Sequence, residues 1–200
     1  GFLWCVVIME SMLNVSDRIN RLLDRVSGAV GWLFLVTMIV IAFDVLTRKF
    51  GYQMPGMGST RLQELEWHLH TALFSFWLGA AYIHNSHVRI DIAFISAAPR
   101  TIVFAEFIGC LVFAIPYCLL ALYFSFDFTW EAWVVGEASP SSNGLAFRWI
   151  PKGCMTAGLL LLFAGVISVL MRSIVYLYGD PGLRKRATPP VIADKLEASS

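Results

Sequence analysis

The chain has 200 residues, of which 58% are apolar and 14% charged, with a mean hydropathy of +0.68. It is too apolar and too sparsely charged for an ordinary soluble domain and reads as an integral membrane protein. A net charge of +1 gives no bulk basicity for nucleic acid, and no Gly-rich phosphate loop is present.

Residues 1–9 are apolar but too short to span a bilayer, and they lack the basic n-region of a signal peptide. Over residues 14–27, Val15, Ile19, Leu22, Leu23 and Val26 recur at helical spacing, with Asp17, Arg18, Arg21, Asp24 and Arg25 between them. This predicts an amphipathic helix at the cytoplasmic surface, so residues 1–27 form an N-terminal arm. Residues 26–43 contain no acid, Lys or Arg and give the first span. Asp44 and Arg48 follow, four apart, as a pair at the outer interface. A Gly-rich loop over residues 51–60 comes next.

Residues 62–91 put two acids and two histidines at the head of a second span and a charged exit at its foot. Between Glu66 and Arg89 lie 22 residues without acid, Lys or Arg, enough for a hydrocarbon core of about 30 Å. Residues 107–126 and 153–171 supply the third and fourth spans, with Pro116 a matter of packing geometry in the third. Continuous apolar runs satisfy their backbone only as helices, so the fold class is an all-α membrane protein. It has four transmembrane helices over residues 28–178.

The loop between the last two spans is rich in aromatics. Trp130, Trp133, Phe147 and Trp149 suit an interfacial belt, while Glu137, Arg148 and Lys152 offer both signs of charge to a soluble partner. Residues 179–200 are basic, then Pro-rich and polar, and are expected to be a flexible cytoplasmic tail. With the N-terminus inside, ten of the fifteen Lys and Arg fall on the cytoplasmic side and five, Arg48, Lys49, Arg61, Arg148 and Lys152, outside. That bias puts both termini in the cytoplasm.

The polar residues invite chemical readings. His70 and His84 are 14 residues apart, about 21 Å along a helix, a spacing that stacks two haems. The other three spans carry no histidine to complete bis-histidine ligation. Glu64 with His68 and Glu66 with His70 are i, i+4 pairs, but the two pairs face different directions and do not converge on one ion. Cys5, Cys110, Cys118 and Cys154 have no CxxC spacing and read as small core hydrophobes. No nucleophile, base and orienter pattern occurs, so neither an enzymatic site nor a cofactor or metal is expected.

The stretch E-x-E-W, then F-S-F-W-L-G-A-A-Y, then H-V-R-I-D over residues 64–91 resembles the small membrane subunit of tripartite ATP-independent periplasmic (TRAP) transporters. G-E-A-S followed by G-L-A-F-R-W-I-P-K, ending at Lys152, is similar to the branch often labelled mannitol or chloroaromatic. The resemblance runs from about Arg18 to Tyr178, and residues 1–9 and the long tail depart from it. It implies a bacterial inner-membrane complex with a large permease subunit that carries substrate and sodium, and a periplasmic solute-binding protein that delivers an organic acid. This subunit would be a scaffold in contact with membrane lipid. The candidate faces toward the large subunit are Glu64, Glu66, Trp67, Gly79 and Tyr82 on the second span, with His87, Arg89 and Asp91 at its exit. Glu137, Arg148 and Trp149 would border the docking surface for the binding protein. The rival readings are a structural subunit of another membrane assembly and a haem-bearing electron-transfer subunit.

Overall fold

The computed structural model describes residues 2–52, 58–86 and 97–197, and among them every regular element is helical. Helix α1 (Phe2–Lys49) is one 48-residue rod, about 72 Å long at 1.5 Å per residue. The amphipathic segment over residues 14–27 is therefore not an element of its own but a stretch within α1. No proline separates it from the span, and Gly28 and Gly31 cost only about 1 kcal/mol each relative to Ala, too little to break the helix.

Helix α2 (Ser59–Ile83) ends five residues before the 22-residue uncharged stretch does. Asn85 stops it in the left-handed region at φ 52°, with Asn85 N–H bonded to the Tyr82 carbonyl and Ser86 N–H to that of Ala81. These two bonds are a Schellman cap, and Asn tolerates the required φ better than most residues. The same cap ends α1 at Gly51. Gly136 repeats it after α4 (Ile115–Val134).

Helix α3 (Pro99–Gly109) opens on a proline at its first turn, where the missing N–H costs nothing. It runs through a π-helical turn, Cys110–Ala114, into α4. Pro116 explains the turn: it cannot donate to the Val112 carbonyl, and its ring would press on that group. The backbone widens instead, and Ile115 N–H bonds the Cys110 carbonyl five residues back. Helix α5 (Trp149–Tyr178) follows the aromatic loop.

Beyond Gly179, where a flexible tail is expected, lie two short helices, α6 (Pro181–Arg186) and α7 (Pro190–Glu197). Ala187 and Ile192 are fully buried. The apolar pair Val191 and Ile192, hidden among prolines and polar residues, holds the segment down.

Among the described residues, three helical runs are long and apolar enough to cross a membrane: Trp4–Lys49, Pro99–Val134 and Trp149–Tyr178. Only 11% of the most apolar window is buried in each of the first two, against 33% in the third. Large apolar side chains such as Trp32, Ile39, Phe113, Tyr123 and Phe126 stand exposed, more than water tolerates on a folded surface. Helix α2 has the length of a span, about 37 Å, but its histidines and tryptophans leave it less apolar than these three.

The described residues group into two compact units. One comprises the stretches Gly1–Asp24, Gly79–Leu119 and Leu161–Ser200. Its main core joins Leu23, Ile83, Cys110, Cys118, Val166 and Val169. Smaller clusters pack Ile102, Val103 and Leu177 with Ile192, and Leu13 and Val175 with Ala187. Cys110 and Cys118 thus serve as core residues, whereas Cys5 is exposed. Here α2 crosses α5 closely, because a Cβ on Gly79 would lie 2.6 Å from the Leu161 carbonyl oxygen. Small residues at such crossings let helix backbones approach.

The second unit comprises Arg25–Leu78 and Leu120–Leu160. A Cβ on Gly158 of α5 would collide with the Ser75 backbone of α2, so this crossing is as tight. Ser125 and Thr129 of α4 share hydrogen bonds with Thr156 of α5, at 2.7 and 2.9 Å. Trp77 Nε1 donates to the Ser27 carbonyl at 3.1 Å, fixing α2 to α1.

Candidate functional site

The densest polar constellation in the second unit is built around Glu64. Its side chain is buried near the start of α2, one turn before the uncharged stretch, so every lone pair needs a donor. The loop between α4 and α5 supplies them. Leu145 N–H donates at 2.5 Å, the Ser139 hydroxyl donates to the other carboxylate oxygen, and Arg148 Nη2 stands 3.9 Å away. The Leu145 amide first, then the Ser139 hydroxyl and the Arg148 charge, hold the Glu64 carboxyl below the ordinary carboxylate range against the opposing effect of burial.

The loop is shaped to deliver those donors. Ser139 N–H bonds the Leu145 carbonyl, and Arg148 N–H bonds that of Glu137, both at 3.0 Å, closing the segment on itself. Gly144 sits where a Cβ would strike Ser139 and the Glu64 carboxylate, so this position must be glycine. Phe147 takes a φ of 64°, unusual for a large side chain, which turns the chain into α5. Arg61 Nε adds a bond to the Asn143 carbonyl at 3.2 Å.

A second layer of charge surrounds this knot. Glu137 pairs with Lys152 and lies 3.9 Å from Arg148 Nη1. The Arg148 guanidinium is 5.5 Å from the Trp67 ring centroid, and Lys152 Nζ is 3.6 Å from that of Phe128. Trp149 packs edge-on against Trp133, ring centroids 4.6 Å apart at 85°. Glu137, Arg148 and Trp149, expected to meet a soluble partner, are thus first engaged within the chain. The outward apolar surface here belongs to Trp130, Trp133 and Phe147.

Glu66, two residues on from Glu64, interacts with Asp44 and Arg48 of α1. Asp44 is 0% exposed and pairs with Arg48 one turn on. An ion pair at this depth chiefly avoids a lone buried charge. The expected Asp44–Arg48 pair is present, and it gains Glu66 as a neighbour.

Of the remaining candidates, Gly79 and Tyr82 fall in the first unit. Gly79 lies in the α2–α5 crossing. The Tyr82 hydroxyl donates to Glu106 Oε1 at 3.3 Å and lies 3.3 Å from Cys110 Sγ. His87, Arg89 and Asp91 lie outside the described residues. The histidines go separate ways: His68 Nδ1 meets the Glu64 carbonyl, His84 Nε2 meets Asp24 at 2.7 Å, and His70 lies beside Phe74. Among the described residues, no three His, Cys, Asp or Glu side chains gather as a metal site would require.

One network in this unit has no counterpart in the sequence-based expectations. The Ser16 and Ser168 hydroxyls are 2.7 Å apart, Ser168 donates to Asn20 Oδ1 at 2.6 Å, and Arg172 Nε donates to Ser16 Oγ at 2.9 Å. Asp17 then bridges Arg172 and Arg186. The partners are more than 140 positions apart, and no short-range spacing announces them.

No protein-family model matches the chain, and neither a curated protein nor a solved structure does.

Proposed function

We propose that this chain is the small membrane subunit of a TRAP transporter in a bacterial inner membrane. In this reading it spans the membrane four times, with α2 as the second span in chain order and both termini in the cytoplasm. It is not an enzyme but a scaffold for the large permease subunit, which carries out sodium-coupled uptake of an organic acid or related solute.

One observation carries the reading. The charged groups of the Glu64 knot face one another within the chain, whereas broad apolar faces of α1, α3 and α4 stand bare. A subunit with its polar chemistry turned inward and its apolar faces outward suits burial against lipid and a larger membrane partner. The order of motifs from E-x-E-W to G-L-A-F-R-W-I-P-K adds the family. The exposed Trp130, Trp133 and Phe147 would border the surface on which the solute-binding protein docks.

The test is purification of the tagged chain from its native membrane in mild detergent, followed by mass spectrometry. Stable recovery of a large multi-span permease is the expected result. Recovery of a different stable partner, or of a coloured preparation with a Soret band, overturns the reading.

A further inference from the structure

Arg18, Arg21 and Arg186 share a pocket of about 190 Å³ with Asn14 and Asp17, formed by α1 and α6. The charges in it are unequal. Asp17, the one carboxylate lining the pocket, is already shared: Oδ1 pairs with Arg172, and Oδ2 pairs with Arg186 Nη2 at 2.6 Å. Arg186 Nη2 also donates to Asn14 Oδ1 at 2.8 Å, which fixes its head in place. Arg18 and Arg21, one turn apart, have no ion-pair partner among the described residues. Asp24, the next acid along α1, meets His84 instead. The pocket therefore has one anchored guanidinium and two uncompensated ones, an arrangement that favours an anion with several acceptor oxygens.

The flanks of Arg18 decide which anion. Val15 and Leu22, three residues before it and four after, lie on the same face of α1 and are 40% and 53% exposed. A free inorganic ion gains nothing from them. A phospholipid does, because its phosphate meets the guanidinium groups while its glycerol and first acyl carbons cover the apolar neighbours.

We propose that the pocket between α1 and α6 binds the phosphate of an anionic membrane phospholipid through Arg18, Arg21 and Arg186. The site rests on the membrane assignment alone and is independent of the transporter partnership. Its failure would leave that partnership untouched. Bound lipid would tie α1 to α6 and hold the C-terminal segment against the bilayer.

The full chain in mild detergent is offered phosphatidylglycerol or phosphatidylcholine, and bound lipid is counted by native mass spectrometry. Phosphatidylglycerol should bind preferentially, and Arg18→Gln with Arg21→Gln should weaken it roughly 30-fold, two surface arginines' worth of attraction. Lys49→Gln, which removes one positive charge elsewhere on α1, should leave it unchanged. Inorganic phosphate at the same concentration should not compete. Equal binding of both lipids, unchanged binding in the double variant or an equal loss in Lys49→Gln overturns the site. Full displacement by inorganic phosphate overturns the lipid as its ligand.

Discussion

The backbone amide of Leu145 donates to the Glu64 carboxylate at 2.5 Å across 81 positions of sequence. With the Ser139 hydroxyl on the other oxygen, this bond ties the first turns of α2 to the loop between α4 and α5. Glu64→Gln keeps the size of the side chain but removes the charge and sets an NH2 group against one of two donors. A loss of about 1–3 kcal/mol is expected, measured as a lower midpoint of thermal unfolding in detergent.

The same contact sets an acid limit. The folded-state pKa of Glu64 lies below its ordinary value of 4.5, so the unfolded chain binds more protons as the pH falls past that value. The stabilisation is fully present above about pH 5.5 and is lost progressively as the pH falls through 4.5 toward the folded-state value. Thermal midpoints from pH 7 down to pH 4 should therefore fall more steeply for the wild type than for Glu64→Gln. Parallel curves would show that the carboxylate is not held as described.

The helices were legible in the sequence because a bilayer imposes a simple rule, a long run without charge, and three helical runs among the described residues obey it. The boundaries were less so. Residues 62–91 look like one helix by composition, but Asn85 ends α2 by adopting a backbone conformation that hydropathy does not register. α1 shows the opposite case: a change from amphipathic to apolar pattern changes the surroundings of a helix without breaking it. At the site, Glu64 and Arg148 could be named, but their partners could not. Ser139 and Leu145 have no chemical signature, and only the fold of the loop aims their donors at Glu64.

Ile192 tests the C-terminal segment. It is fully buried beside Ile102, Val103 and Leu177, although it sits in a stretch whose composition reads as disordered. Ile192→Ala should cost roughly 2–5 kcal/mol, the range for a buried aliphatic side chain. An unchanged unfolding midpoint would mean that the segment contributes nothing to the core.

Cysteine accessibility gives an independent check on α1 and the first unit's core. Cys5 is exposed, whereas Cys110 and Cys118 are each 1% exposed. A maleimide should label Cys5 in the folded protein within minutes and reach Cys110 and Cys118 only on denaturation, as read by mass spectrometry of peptides. If both termini are cytoplasmic, a membrane-impermeant maleimide should leave Cys5 unlabelled in intact spheroplasts and label it after lysis. Labelling before lysis would invert the proposed topology.

The α2–α5 crossing is the contact least able to absorb a larger side chain. A Cβ on Gly79 would lie 2.6 Å from the Leu161 carbonyl oxygen and 2.8 Å from Leu23 Cδ2. The first obstacle is backbone and cannot rotate away. Gly79→Leu should therefore push the helices apart, expose Leu23 and cost several kcal/mol, beyond the 1–3 kcal/mol typical of overpacking by a methylene or two. Gly31 in α1 is the control, because nothing lies within 4 Å of its added Cβ. Gly31→Ala should be neutral or stabilise the helix by up to about 1 kcal/mol. Gly79→Ala is the size-matched partner of Gly31→Ala, so any difference between these two in folded yield and unfolding midpoint reports the space at each site. Equal behaviour of the two would mean that α2 and α5 do not cross at Gly79.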